Sequence, residues 1–164
     1  MEENNNKPRI GWARRTARDL LKEAGITTPP ILISDIVKHI KKEKDLSVHP
    51  WAFGEDTDGI QITQGESATI GYNQSQHSHR QRFTVAHEIG HFLLCHTTND
   101  SAFDLDSKKP EEVEANQFAA ELLMPLEMFK KDFKAGMTSA DDLGKKYNVS
   151  KESAWWRMYN TKLI

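Results

Sequence analysis

The chain has 164 residues, 22 Lys and Arg against 24 Asp and Glu, and one cysteine. Near-balanced charge argues against a molecule that binds polyelectrolytes with its whole surface, and a lone cysteine excludes an intramolecular disulfide framework. The opening MEENNNKPR has no apolar signal core, and no apolar run is long enough to span a bilayer, so the reading is a soluble cytoplasmic protein.

In chain order, Met1 to Lys7 is a polar tail expected to be disordered. Ile10 to Ala24 carries Ala13, Ala17, Leu20, Leu21 and Ala24 on one helical face, with Gly25 at its end. A second helix is expected from Ser34, its N-cap, to about Lys42, with Ile36, Val37 and Ile40 as its apolar set. Leu46–Phe53, Asp58–Ile62 and Ala68–Tyr72 read as short strands, the last two joined by a hairpin at Gln64-Gly65-Glu66. The fold class expected is α+β. A small antiparallel sheet packs on a helical core that bears a metal, followed by C-terminal helix-turn-helix-like helices. One domain spans residues 1–164. Its parts are N-terminal helices over 8–45, sheet and metal-site helices over 46–128, and a C-terminal helical part over 137–164.

The stretch Arg80–His96 (RQRFTVAHEIGHFLLCH) holds an H-E-x-x-H motif. At about 100° per residue, His91 lies about 40° from His87 and Glu88 about 100° from it. The large apolar residues Phe83, Val85, Ile89, Phe92, Leu93 and Leu94 fall elsewhere on the helix. Such a helix is buried over most of its girth and presents one wall with two imidazoles and a carboxylate. Two His at i, i+4 suit Zn²⁺, and Glu88 on the flank suits a general base. Cys95 is about 12 Å along the axis from His87, too far to share a metal, and reads as a packing residue. His96 reads as lying nearer a helix C-cap than a site.

After a polar loop over Thr97–Lys109, PEEVEANQFAAELLMP begins a helix at Pro110 and ends it at Pro125. Glu112 and Asn116 head its apolar face, so Glu112 is the candidate third ligand, with Glu111 as second choice. Glu114, Gln117 and Glu121 read as its solvent face. Ala115, Ala119 and Ala120 would allow close approach to a helix with a gap at Gly90. Asn116 is placed to accept the N–H of a ligating His, as outer partners do. Tyr72, His77 and His79 are candidates to stabilise an oxyanion, with no sequence ground for choosing among them.

Lys130–Ile164 carries eight basic residues against four acidic ones. Leu143, Tyr147, Val149, Ala154 and Met158 space like a helix-turn-helix core, with Ser150 as N-cap of the second helix. Trp155 and Trp156 on that helix suit packing on the body or gripping a protein partner better than reading a duplex.

RQRFTVAHEIGHFLL followed by EVEANQFAAELLMP resembles the ImmA/IrrE family of zinc metallopeptidases, and LGKKYNVSKESAWWRM is similar to the family's terminal helices. The resemblance covers about Ile60 to Met158. It implies a gluzincin-like site with one Zn²⁺ on His87, His91 and Glu112, and with Glu88 as catalytic base. It implies a cytoplasmic endopeptidase whose substrate is a helix-turn-helix transcriptional repressor. Two alternatives stand beside it: a DNA-binding regulator, and a zinc-binding regulator that recruits a repressor without cutting it. An extended substrate is expected to add to the sheet edge at Ile60–Ile62 or Ala68–Tyr72.

Overall fold

The structure is a computed structural model that describes residues 6–96 and 105–164. The expectations for the first five residues of the tail, and for residues 97–104 of the polar loop, lie outside the described residues. The α+β class expected from the sequence is observed, with seven helices and three strands among the described residues.

Helix α1 (Ile10–Glu23) buries Ala13, Ala17, Leu20 and Leu21 of the periodic set read from the sequence, while Ala24 is its half-buried C-cap. It ends at Gly25, whose φ of 70° suits a residue without Cβ. Helix α2 (Ile33–Ile40) starts two residues earlier than expected. The Leu32 carbonyl accepts the Asp35 and Ile36 amides, so Leu32 is the N-cap residue and Ser34 lies inside the first turn.

Strands β1 (Leu46–Trp51), β2 (Gly59–Gln64) and β3 (Ser67–Asn73) form one sheet in the order β1-β3-β2. β2 and β3 are the expected antiparallel hairpin, with Gln64 opposite Ser67 across a two-residue turn. β1 instead pairs with β3 in parallel, Leu46 opposite Ala68 and Trp51 opposite Asn73, so the sheet is mixed. The cause lies in the link between β1 and β2, which crosses the end of the sheet and leaves the slot between them for β3. The buried Asn73 of β3 fastens that link, its Nδ2 donating to the Gly54 carbonyl at 3.0 Å and the Thr57 carbonyl at 2.8 Å. Gly71 is required beside it: a Cβ there would lie 2.2 Å from the Trp51 ring. β3 is therefore central, and of the two strands expected as an edge only β2 is one.

Helix α3 (Ser78–Leu93) buries eight consecutive residues, Thr84 to His91. It packs on α4 (Pro110–Leu123), which has Pro110 in its first turn. The gap at Gly90 is filled by the Phe118 ring, 2.9 Å from where a Cβ would stand, and not by the alanines of α4. Pro125 ends α4 as expected but also opens a helix the sequence reading lacked, α5 (Leu126–Lys134). Its Asp132 accepts from Lys146 Nζ at 2.6 Å and from the Tyr147 hydroxyl at 2.7 Å. The last pair is α6 (Ala140–Tyr147) and α7 (Lys151–Asn160), joined through Asn148 at φ 54° and capped by Ser139 and Ser150. Leu143, Tyr147, Val149, Ala154 and Met158 are all buried, as the helix-turn-helix spacing predicts. Apolar burial is continuous from Ala13 in α1 to Met158 in α7. No described helix is long and apolar enough to cross a membrane.

Candidate metal centre

The second half of α3 has no solvent side, so its polar wall must face another element. That element is α4, whose first turn brings Glu112 against the wall. His87, His91 and Glu112 each offer a ligand atom, all within 4.8 Å of one another, and all three residues are buried. The two Nε2 atoms are 3.0 Å apart, and the Glu112 oxygens lie 3.1 Å from each.

The outer nitrogens of both rings are engaged. His87 Nδ1 lies 2.8 Å from Asn116 Oδ1, an oxygen that only accepts, so His87 carries its proton on Nδ1. His91 Nδ1 lies 2.9 Å from His96 Nδ1. His96 Nε2 in turn lies 2.7 Å from Glu114 Oε2. A carboxylate accepts, so His96 donates from Nε2 and accepts on Nδ1, which places the His91 proton on its Nδ1 as well. Both Nε2 lone pairs therefore face inward, toward a carboxylate. Two imidazole nitrogens and a carboxylate thus converge on one point, where they could hold a cation. Two nitrogens and a carboxylate oxygen form a donor set that suits Zn²⁺ with an open position.

Glu88 is buried on the same wall, outside the trio. Asn116 makes the contact expected of it. The structure does not bring the other candidates to the trio. His77 Nδ1 accepts the His79 amide at 3.1 Å, capping α3 at its far end. His79 is about 12 Å along the axis from His87. Its pKa is lowered by partial burial, with His77 adding to the effect. Tyr72 lines a groove with Val48, Arg82 and Val85, on a different side of α3 from the imidazoles. Glu111, the second choice for a ligand, is exposed. Cys95 is exposed, so it is not a packing residue.

Two sequence readings are corrected here. The expected solvent face of α4 is buried: Glu114 and Glu121 are 2% and 0% exposed. It lies against α1, where Arg9 meets Glu114, Arg14 meets Gln117 and Arg18 meets Glu121, so one helix's arginines match the other's acceptors turn by turn. Arg157 of α7 closes on Glu121 from the other side. A single-helix projection cannot see this, because polar residues three and seven apart read as wet until a basic helix is laid beside them. The second correction is His96. It does follow the C-cap, but its ring is buried and reaches inward. The signal was the charged residue two places after Glu112, on a helix already expected to face the motif.

The family described as IrrE N-terminal-like domain, a peptidase family, matches residues 44–159. No curated protein matches the chain significantly. Among solved structures, a Mycobacterium tuberculosis transcriptional regulator superposes with a TM-score of 0.66 at 14% identity, over 90% of this chain and 46% of that one. At that identity the likeness is one of fold, and this chain spans less than half of the regulator's length.

Proposed function

The chain belongs to the IrrE N-terminal-like peptidase family, and on that premise we propose that it is a Zn²⁺-dependent endopeptidase that cuts a helix-turn-helix transcriptional repressor. The observation that carries the reading is the inward convergence of two Nδ1-protonated imidazoles and the Glu112 carboxylate. Zn²⁺, when bound, supplies Lewis acidity that acidifies a water and polarises a carbonyl. His87, His91 and Glu112 hold it. Glu88 takes the proton of the attacking water and passes it to the leaving amine as the peptide bond breaks. Asn116 keeps the His87 ring turned inward. The β2 edge, with Ile62 exposed, offers backbone groups to an extended substrate.

The repressor reading draws support from the C-terminal helices. Trp155, Trp156 and Tyr159 of α7 are exposed. Trp155 and Tyr159 stack at 5.5 Å, and Trp156 stands edge-on to Trp155 at 4.9 Å. The aromatics do not pack on the body, which leaves the partner-gripping half of the sequence reading. Exposed aromatic clusters suit protein interfaces. Three of the eight basic residues that favoured a duplex have acidic partners within the chain: Arg157 with Glu121, Lys145 with Asp141, and Lys146 with Asp132.

The test is incubation of the Zn²⁺-loaded protein with a helix-turn-helix repressor, with and without chelator, followed by mass analysis. Chelator-sensitive fragments are expected. Intact repressor held in a stable complex would favour the recruiting regulator, and a salt-dependent shift of duplex DNA would favour the DNA-binding one.

A further inference from the structure

The support for His91 runs back as far as α1. Helix α3 closes with Cys95 at φ 57°, a left-handed conformation that L residues rarely adopt. The turn sends the His96 amide back to the His91 carbonyl at 2.9 Å, the long-range bond that ends many helices. The same turn folds the His96 ring under the helix end, against the His91 ring. Glu114 then holds His96 from α4. Both Glu114 oxygens are engaged by Arg9 as well: Oε1 accepts the Arg9 amide at 2.8 Å and Nε at 3.1 Å, and Oε2 accepts Nη2 at 3.3 Å. The Arg9 guanidinium is itself placed over the Trp12 ring, 3.9 Å from its centroid.

We propose that His96, held by Glu114 and anchored by Arg9, is a positioning residue that fixes the His91 ring with its proton outward and its Nε2 lone pair toward the metal. The inference deepens the metal reading and rests on it. Backbone geometry supplies the first half of the device, because only a turn through the left-handed region brings residue 96 back to residue 91. Acceptor chemistry supplies the second half. Glu114 cannot donate, so His96 must, and that leaves His96 Nδ1 as the acceptor for His91. The N-cap residue of α1 is thereby part of the support of a metal ligand. Docking α1 on α4 and aiming His91 depend on the same bonds.

The experiment compares wild type with His96→Ala, His96→Asn and Glu114→Ala. Zn²⁺ affinity is measured by competition with a chromogenic chelator. The ring nitrogens of His91 are read by nitrogen-15 spectroscopy, with and without Zn²⁺. His96→Ala is expected to weaken Zn²⁺ binding by about 10- to 100-fold and to release His91 from a single tautomer. His96→Asn returns an acceptor near the Nδ1 position and is expected to recover part of both. Wild-type affinity and unchanged His91 signals in His96→Ala would overturn the inference. Equal losses in the Ala and Asn variants would also overturn it, because a merely structural role predicts that. Should His96→Ala not fold, Glu114→Ala decides by the same two readouts. If wild type itself takes no Zn²⁺, the parent reading fails, yet the His91 tautomer in metal-free wild type and variant still decides this one.

Discussion

On its inner face α4 sets Glu112 and Asn116 against imidazoles, and on its outer face it sets Glu114, Gln117 and Glu121 against arginines. Both faces are removed from water, so burial of a carboxylate does not separate them. The sign of the neighbour does. Outer acceptors meet cationic donors from α1 and α7, whereas the inner carboxylate meets two nitrogen lone pairs. The outer face pairs its acceptors with guanidiniums of the same chain; the inner one gathers a donor set that could hold a cation.

The comparison predicts that changes inside the site alter chemistry and metal, while changes at Gln117 and Glu121 on the outer face alter stability; Glu114, which also holds His96, bears on both. The largest effect belongs to Glu88→Gln, which keeps size but loses the base. Cleavage of a repressor is expected to fall by about 10²–10⁴ with zinc content unchanged. Near-normal cutting by this variant would break the catalytic half of the contrast.

Next comes Glu121→Leu, which leaves the Arg157 guanidinium buried without its carboxylate. Urea unfolding should show a loss of about 3–5 kcal/mol, with zinc affinity retained. Glu112→Gln should do the reverse. It should abolish the stabilisation that zinc gives wild type, about 2.7 kcal/mol at a hundredfold excess over Kd. An equal response to zinc in the two variants would erase the distinction between the faces.

A smaller effect separates the faces by pH. Burial pushes the Glu114 carboxyl up, but bonds from Arg9 and His96 outweigh it and hold the group below its ordinary value. A depressed carboxylate contributes stability that is fully present above the unfolded value of about 4.3 and is lost as pH falls through the folded one. The urea-midpoint gap between wild type and Glu114→Gln should therefore be open at pH 7 and close in acid. A gap that widened in acid would contradict the assignment.

Smallest in stability is the double change Trp155→Ala with Trp156→Ala, expected to stay within about 0.5 kcal/mol because both side chains face solvent. Repressor cleavage should nonetheless fall. Unimpaired cleavage would remove the α7 surface from the account of substrate capture.

How much of this was legible in the sequence follows from the range of each signal. H-E-x-x-H needs only a helical period, so His87, Glu88 and His91 were placed at once, and one further period placed Glu112 and Asn116. Helix-turn-helix spacing gave the buried set of α6 and α7 for the same reason. Features that depend on two distant segments were not legible. Arg9 lies 105 residues from Glu114, and no local pattern announces their pairing. β1 sits parallel to β3 because Asn73 fastens a loop, which strand alternation does not encode. His96 was missed because its direction depends on a left-handed turn at Cys95, a residue type that gives no hint of one.

The unbroken burial of Thr84 through His91 sets a clock. Helices with a wet side fray and heal turn by turn, and their amide hydrogens trade with solvent within that local motion. These eight residues have no such side. Their amides exchange when the core opens as a whole, at the slow limit set by global unfolding. The tail end of α7, with its aromatics in water, keeps a much faster time. Amide exchange is therefore expected to be slowest at the H-E-x-x-H motif and much faster at the exposed α7 surface.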